Sequence, residues 1–240
     1  VKRARDGLEV WSSTDPQERG RVLNRVATAI RDEADRLEQI ETLENGMPLS
    51  IAEFDIEVCA RYFEYYADIA DKLHGDSIPL TEDYADYTVR EPLGITAQIT
   101  PWNFPTGIFG RSVAPALVTG NVSITKPAEL TPLGTLEIAE IAHEAGLPAG
   151  VLNVVPGYGH SAGAALTSHE AIGGISFTGS RPTGVEVAKS AVENITQAHL
   201  ELGGKNPNVV YPDADLENAI DNTIRSIFTL HAGQTCSAGD

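Results

Sequence analysis

Ile95-Thr96-Ala97-Gln98-Ile99-Thr100-Pro101-Trp102-Asn103-Phe104-Pro105 is a short β-prone run that ends in a turn stiffened by two prolines. Similar units follow it. Strands are expected at Ile95 to Thr100, Asn121 to Thr125, Val151 to Val155, Ile175 to Thr178 and His199 to Leu202. Between them, Pro132 to Ala145 reads as a helix capped by Thr131-Pro132 and stopped at Gly146, and Pro182 to Val192 as a helix opened by a Gly-Ser turn. Strand–helix alternation predicts an α/β fold: a doubly wound, Rossmann-like parallel sheet with helices on both faces.

Upstream of this core the period is helical. Val22, Val26, Ile30, Leu37 and Ile40 predict one helix over Pro16 to Glu44, with Asp15 as N-cap and Gly46 as its left-handed stop. A second is expected over Ser50 to Leu73, with Phe54, Val58, Tyr62, Tyr65, Ile69 and Leu73 on its apolar face and Cys59 packed beside them. Between His74 and Pro92, Ser77 to Leu80 and Tyr84 to Arg90 read as a hairpin turning at Glu82-Asp83, either a solvent-facing decoration or an arm that pairs with another subunit. Downstream, Gly203-Gly204 marks a boundary. A strand at Asn208 to Tyr211, an Asp213 cap, a helix from Leu216 to Leu230 and the run His231 to Asp240 then start a second α/β unit. Residues 1–73 and 93–203 therefore form one domain, 74–92 the hairpin, and 204–240 the beginning of another.

Composition narrows the class of function. Thirty-four acidic against 17 basic residues give a net charge of −17, which argues against nucleic acid or an anionic membrane as partner. Five lysines against twelve arginines, with so many carboxylates, suggest a protein kept soluble in concentrated salt. Two cysteines, Cys59 and Cys236, make neither a disulfide framework nor a CxxC pair, so a reducing compartment, the cytoplasm, is the expected address. The six histidines show no metal-binding spacing, and no metal is expected.

In such a sheet, ligands bind beyond the carboxyl ends of the strands, so the turns there carry the candidate chemistry. Asn103 in the Pro-Trp-Asn-Phe-Pro turn is either part of a rigid corner or an amide donor to an oxyanion. Lys126 and Glu129 form either a solvated ion pair or a site for ribose hydroxyls. Gly157 to Gly163 nearly matches a dinucleotide-binding glycine pattern, and Gly159-His160-Ser161-Ala162-Gly163 is formally a nucleophile elbow. Read that way, Ser161 with Asp213 or Asp215 and His231 is a serine hydrolase. Phe177-Thr178-Gly179-Ser180 opens a helix after a strand, which suits a pyrophosphate. Glu201 at a strand end is a cap, an ion-pair member or a general base.

Pro-Trp-Asn-Phe-Pro, Lys-Pro-Ala-Glu, Phe-Thr-Gly-Ser, Glu-Leu-Gly-Gly-Lys and Gly-Gln-Thr-Cys-Ser-Ala-Gly, in this order and spacing, resemble the aldehyde dehydrogenase superfamily over nearly the whole chain. The resemblance implies oxidation of an aldehyde to a carboxylic acid with NAD. It makes Cys236 the nucleophile, Asn103 the oxyanion donor and Glu201 the base that activates water, all through a cysteine thiohemiacetal and thioester. A free thiol titrates near 8.5, so only about one in thirty is ionised at pH 7 without local help. For the cofactor it implies Ile99, Thr100, Pro101, Trp102, Lys126, Glu129, Gly159, Gly163, Phe177, Gly179, Ser180, Thr183, Leu202 and Gly203, with Glu129 favouring NAD over NADP by charge. It also implies that the hairpin is an oligomerisation arm of a homodimer or homotetramer, and that Glu201 marks an acid-forming member rather than one that makes an acyl-CoA. Arg181-Pro182-Thr183 and Asp240 depart from the family's usual residues. Family members are about twice this long, so the chain reads as the N-terminal half of such an enzyme, a nucleotide-binding piece whose aldehyde tunnel lies elsewhere.

Overall fold

The computed structural model describes residues 1–204, 206–229 and 231–236. Expectations that fall on Lys205, Leu230 and Ser237 to Asp240 lie outside the described residues. Four helices come first: α1 (Lys2–Ser13), α2 (Pro16–Asp32), α3 (Ala34–Asn45) and α4 (Leu49–Asp68). A two-stranded hairpin, β1 (Ser77–Ile78) and β2 (Asp86–Tyr87), follows. The alternating part then runs β3 (Ile95–Ile99), α5 (Pro105–Val118), β4 (Val122–Lys126), α6 (Leu133–Glu144), β5 (Leu152–Val154), α7 (Ala164–Thr167), β6 (Ile172–Gly179), α8 (Arg181–Glu193) and β7 (Gln197–Leu202). Then come α9 (Leu216–Ile224), a π-turn at Arg225–Thr229 and a short 3-10 turn at His231–Gly233.

The five strands β3 to β7 form one sheet in the order β5-β4-β3-β6-β7, and every pairing in it is parallel. The order reverses at β3: the chain steps outward to β4 and β5, then returns to β6 on the other side. That reversal is the topological switch point where an open α/β sheet offers a crevice. β3 and β4 are buried at every position, as parallel central strands covered on both faces must be, whereas edge strand β7 is mostly exposed. Most expected strand limits lie within one residue of those observed; β6 and β7 start three and two residues earlier.

Two helical expectations need correction. Pro16 to Glu44 is not one helix but α2 and α3, broken at Glu33 (φ −103°, ψ 10°), where the Glu33 carbonyl restarts the ladder by accepting from Arg36 and Leu37. Ile30 and Leu37 are fully buried on either side of the break, so the apolar period passes through it unchanged. The Asp15 cap and the left-handed Gly46 (φ 75°) are where the sequence puts them. In α4 the buried face is Ala52, Asp55, Ile56, Cys59, Ala60, Phe63 and Ala67, while Phe54 and Tyr65 are exposed. Small residues win because α5 lies very close. A Cβ at Gly110 would come within 3.0 Å of the Cys59 backbone, and one at Gly107 within 2.2 Å of the Asp55 carboxylate. Large side chains on that face would hold the helices apart.

The α6 cap also differs. Thr131 gives no capping bond; the Glu44 carboxylate from α3 accepts from Leu133 N–H (2.8 Å) and Gly134 N–H (3.1 Å) instead. Residues 206–211 form no strand among the described residues, and Val209, Val210 and Tyr211 lie exposed without a ladder partner. The cap of α9 is Asp215 rather than Asp213, accepting from Asn218 N–H at 3.2 Å. The hairpin is wholly exposed and turns at Glu82-Asp83 as expected. Three further elements carry no expectation from sequence: α1, whose Trp11 donates to the Leu117 carbonyl at 2.7 Å, α5, and the π-turn Gly159–Gly163 leading into α7.

Candidate active site

The carboxyl ends of β3, β6 and β7 converge on a cleft of about 280 Å³. Pro101, Trp102 and Asn103 reach it from the turn after β3, Gly179 and Ser180 from the end of β6, and Glu201, Leu202 and Gly203 from the end of β7. The register Thr178↔Glu201 and Gly179↔Leu202 aligns the last two groups. Gln234, Thr235 and Cys236 close the other side, so the three residues assigned to catalysis wall one space.

The cysteine loop is held by amides. Asn103 Nδ2 donates to the Gln234 carbonyl at 2.8 Å, and Asn206 Nδ2 donates to the carbonyl of Cys236 itself. The Asn103 amide carries a second N–H, so this anchoring leaves it a donor to offer a ligand. Cys236 is exposed and unbridged, whereas Cys59 is buried and its thiol is pushed well up by burial. One thiol is open to the cleft and the other is a packing residue. His231, five residues before Cys236, is buried with its ring centroid 5.7 Å from Phe104 and 6.3 Å from Trp102. Burial lowers its pKa, which favours the neutral imidazole.

Two buried carboxyl groups lie under the Asn103 turn. Thr106, in the first turn of α5, places its hydroxyl 2.7 Å from Glu41 Oε2 and 3.0 Å from Asp55 Oδ2. Asp55 Oδ2 also accepts Gly107 N–H at 2.9 Å. Burial, then the neighbouring Asp55, pushes Glu41 up to about 10, so Glu41 keeps its proton at neutral pH.

A larger cleft of about 880 Å³ lies between the 159–168 segment and α8. Ile99, Gly159, Gly163, Phe177 and Thr183 line it, and Ser180 Oγ stands 3.0 Å from Thr183 Oγ1, joining the two clefts at the start of α8. Lys126, Glu129 and Thr100 line neither. Buried Lys126 bonds the Pro127 carbonyl at 2.7 Å and Glu129 at 3.4 Å, and its stem passes 3.5 Å from where a Gly163 Cβ would sit. The Glu129 backbone N–H and then Lys126 hold the Glu129 carboxyl below its usual range, so it is ionised at neutral pH. Thr100 is a buried strand end beneath this pair.

The serine hydrolase alternative is not assembled. Ser161 Oγ donates to the Tyr158 carbonyl in its own turn, and the described contacts of His231 are with Trp102 and Phe104. Gln234 and Asn206, which tie the cysteine loop, carry no sequence expectation; a backbone acceptor has no residue-type signature. Glu186 and Val187 in the larger cleft carry no site expectation from sequence, although they continue the face of α8 that carries Thr183. Among the described residues no group of three or more His, Cys, Asp or Glu could hold a metal ion, and no helix is long and apolar enough to cross a membrane.

The model of the aldehyde dehydrogenase family matches residues 1–240. The chain is 46% identical to a hydroxyisobutyraldehyde dehydrogenase of Mycolicibacterium austroafricanum, over all of this chain and 47% of that protein. It superposes on an NAD⁺ complex of a Bacillus cereus aldehyde dehydrogenase with a TM-score of 0.96 at 42% identity, covering 99% of this chain and 49% of the other. An NADP-dependent Escherichia coli enzyme matches with a TM-score of 0.96 at 38% identity, covering 99% of this chain and 50% of that one. The chain therefore spans about half the length of the relatives it matches. With a match along its full length and relatives above 40% identity, the chain belongs to the aldehyde dehydrogenase family.

Proposed function

We propose that this chain is the N-terminal half of an NAD-dependent aldehyde dehydrogenase that forms carboxylic acids and uses Cys236 as nucleophile. The observation that carries the reading is the shared cleft of Cys236, Asn103 and Glu201. The Cys236 thiolate attacks the aldehyde carbon and forms a C–S bond. The oxygen, now anionic, is held by the second N–H of Asn103 and the Cys236 backbone N–H. A dinucleotide held by the Gly159, Ser180 and Glu129 segments would supply the hydride acceptor at this carbon, and loss of hydride there would leave the acyl group on Cys236 as a thioester. Glu201 takes a proton from water, whose oxygen attacks the thioester carbon, and collapse of that adduct releases the acid and returns the thiolate.

The residues present fit a dinucleotide. Nothing lies within 4 Å of a Gly159 Cβ position, and Gly163 opens the wall over Lys126, so backbone can approach a ligand closely. The N-terminus of the 13-residue helix α8 begins at Ser180 with no side-chain cap, which leaves its amides for a pyrophosphate. Ionised Glu129 suits ribose hydroxyls and repels a 2′-phosphate, which favours NAD over NADP. The hairpin fits an oligomerisation arm, since both its strands are exposed. Free cysteines fit a reducing compartment, in the simplest case the cytoplasm.

The test is NADH formation by the full-length protein with NAD and a panel of aldehydes. Cys236→Ser should abolish turnover while leaving NAD binding within about twofold. Turnover that survives Cys236→Ser, or that Ser161→Ala removes, would sink the cysteine mechanism.

A further inference from the structure

Helix α3 lines neither cleft, yet its last turn touches both the turn after β3 that walls the smaller one and the start of α6. Glu41, Glu44 and Asn45 stand at i, i+3 and i+4 and so share one face. Glu41 accepts from Thr106, three residues after Asn103. Asn45 Nδ2 lies 3.4 Å from the carbonyl of Trp102, the residue before Asn103, while Asn45 Oδ1 is fixed by Met47 N–H at 2.7 Å. Asn103 is thus bracketed on both sides from α3. Glu44 accepts from Leu133 and Gly134, which begin the helix directly after the Lys126–Glu129 turn. The two destinations also touch: a Cβ at Gly134 would sit 3.0 Å from Thr106 Cγ2. At its other end α3 is tied to α6 by the Arg36–Glu137 ion pair.

We infer that this turn of α3 is a positioning device, setting the oxyanion turn and the ribose turn at a fixed separation; the inference rests on the function proposed above. Glu44 and Asn45 touch neither substrate nor cofactor and act through the turns they hold. Because the two side chains hold different turns, they govern different steps. Glu44 bears on cofactor affinity through the Lys126–Glu129 turn, and Asn45 bears on the rate of the chemical step through Asn103. General loosening of the domain would instead move both quantities together.

The experiment uses the full-length protein, with NAD affinity by calorimetry, kcat by NADH formation and amide hydrogen exchange without ligand. Glu44→Ala should weaken NAD binding about tenfold, the scale on which orienting partners act, with kcat within about twofold. It should also speed exchange at Leu133 and Gly134 but not at Gly107. Glu44→Gln, which retains an acceptor oxygen, should restore most of the affinity. Asn45→Ala should lower kcat about threefold with NAD affinity unchanged. Variants that shift affinity and kcat in parallel, or a Glu44→Ala protein with wild-type affinity and exchange, would overturn the inference. Should Glu44→Ala fail to fold, Glu44→Met, which keeps the length of the side chain but offers neither amide an acceptor, decides: weaker NAD binding with faster exchange at Leu133 and Gly134 alone supports the device, and parallel losses or no change refute it. Should the wild type bind no NAD, the proposed function fails, while exchange at Leu133, Gly134 and Gly107 still decides whether the two turns are held separately.

Discussion

Replacing Glu41 by glutamine should make stability less dependent on pH, by an amount the site itself sets. Folded Glu41 keeps its proton up to about pH 10 because it is fully buried and faces Asp55. In the unfolded chain a glutamate releases its proton near 4.3. Between these values folding takes up one proton, so the contribution of this residue is intact below the unfolded pKa and is lost as pH rises towards 10. The slope is about 1.4 kcal/mol per pH unit, or about 3 kcal/mol between pH 5.5 and 7.5. The substituted amide has no proton to lose and can donate to Asp55 as the protonated acid does. Urea unfolding of both proteins, followed by fluorescence of buried Trp11, should show Glu41→Gln gaining on wild type by about 3 kcal/mol across that interval. Titrating groups remote from Glu41 cancel in the difference. Parallel stability curves would refute the reasoning, since they would require Glu41 to be as ionised in the fold as outside it.

Three further outcomes are expected. Asn103→Ala should lower kcat by about 10² to 10³, the range for removing one oxyanion donor, with steady-state kinetics showing a much smaller change in KM for NAD. Glu129→Gln should narrow the preference for NAD over NADP by about tenfold, the scale of one charge repulsion near a surface, read as the ratio of kcat/KM values. The melting temperature should rise between low and molar salt, because the screening length falls from about 10 Å at 0.1 M to about 3 Å at 1 M while the chain carries −17; a flat profile would remove the case for a salt-adapted surface.

The sheet was legible because each of its central strands is a short apolar run followed by a turn of unusual composition. The Trp102-Asn103, Gly179-Ser180 and Glu201 turns could be placed at one end of the sheet for the same reason. What escaped was packing between helices. The inward face of α4 is recognised by small residues and a buried aspartate, not by its largest side chains, because the limiting quantity is the distance to Gly107 and Gly110 of α5. Capping by a distant carboxylate was equally invisible: Glu44 and Leu133 lie 89 positions apart. The expected strand at Asn208 shows the reverse failure, where β propensity at Val209 and Val210 finds no neighbouring strand among the described residues.

Asn103 and Asn206 hold the cysteine loop by main-chain carbonyls. Every residue type supplies such an acceptor. As far as these two anchors are concerned, the side chain at position 234 can be exchanged during divergence without displacing the thiol. Descendants could then alter what the loop presents to the cleft by single mutations, with the placement of the Cys236 thiol inherited from two asparagines outside it.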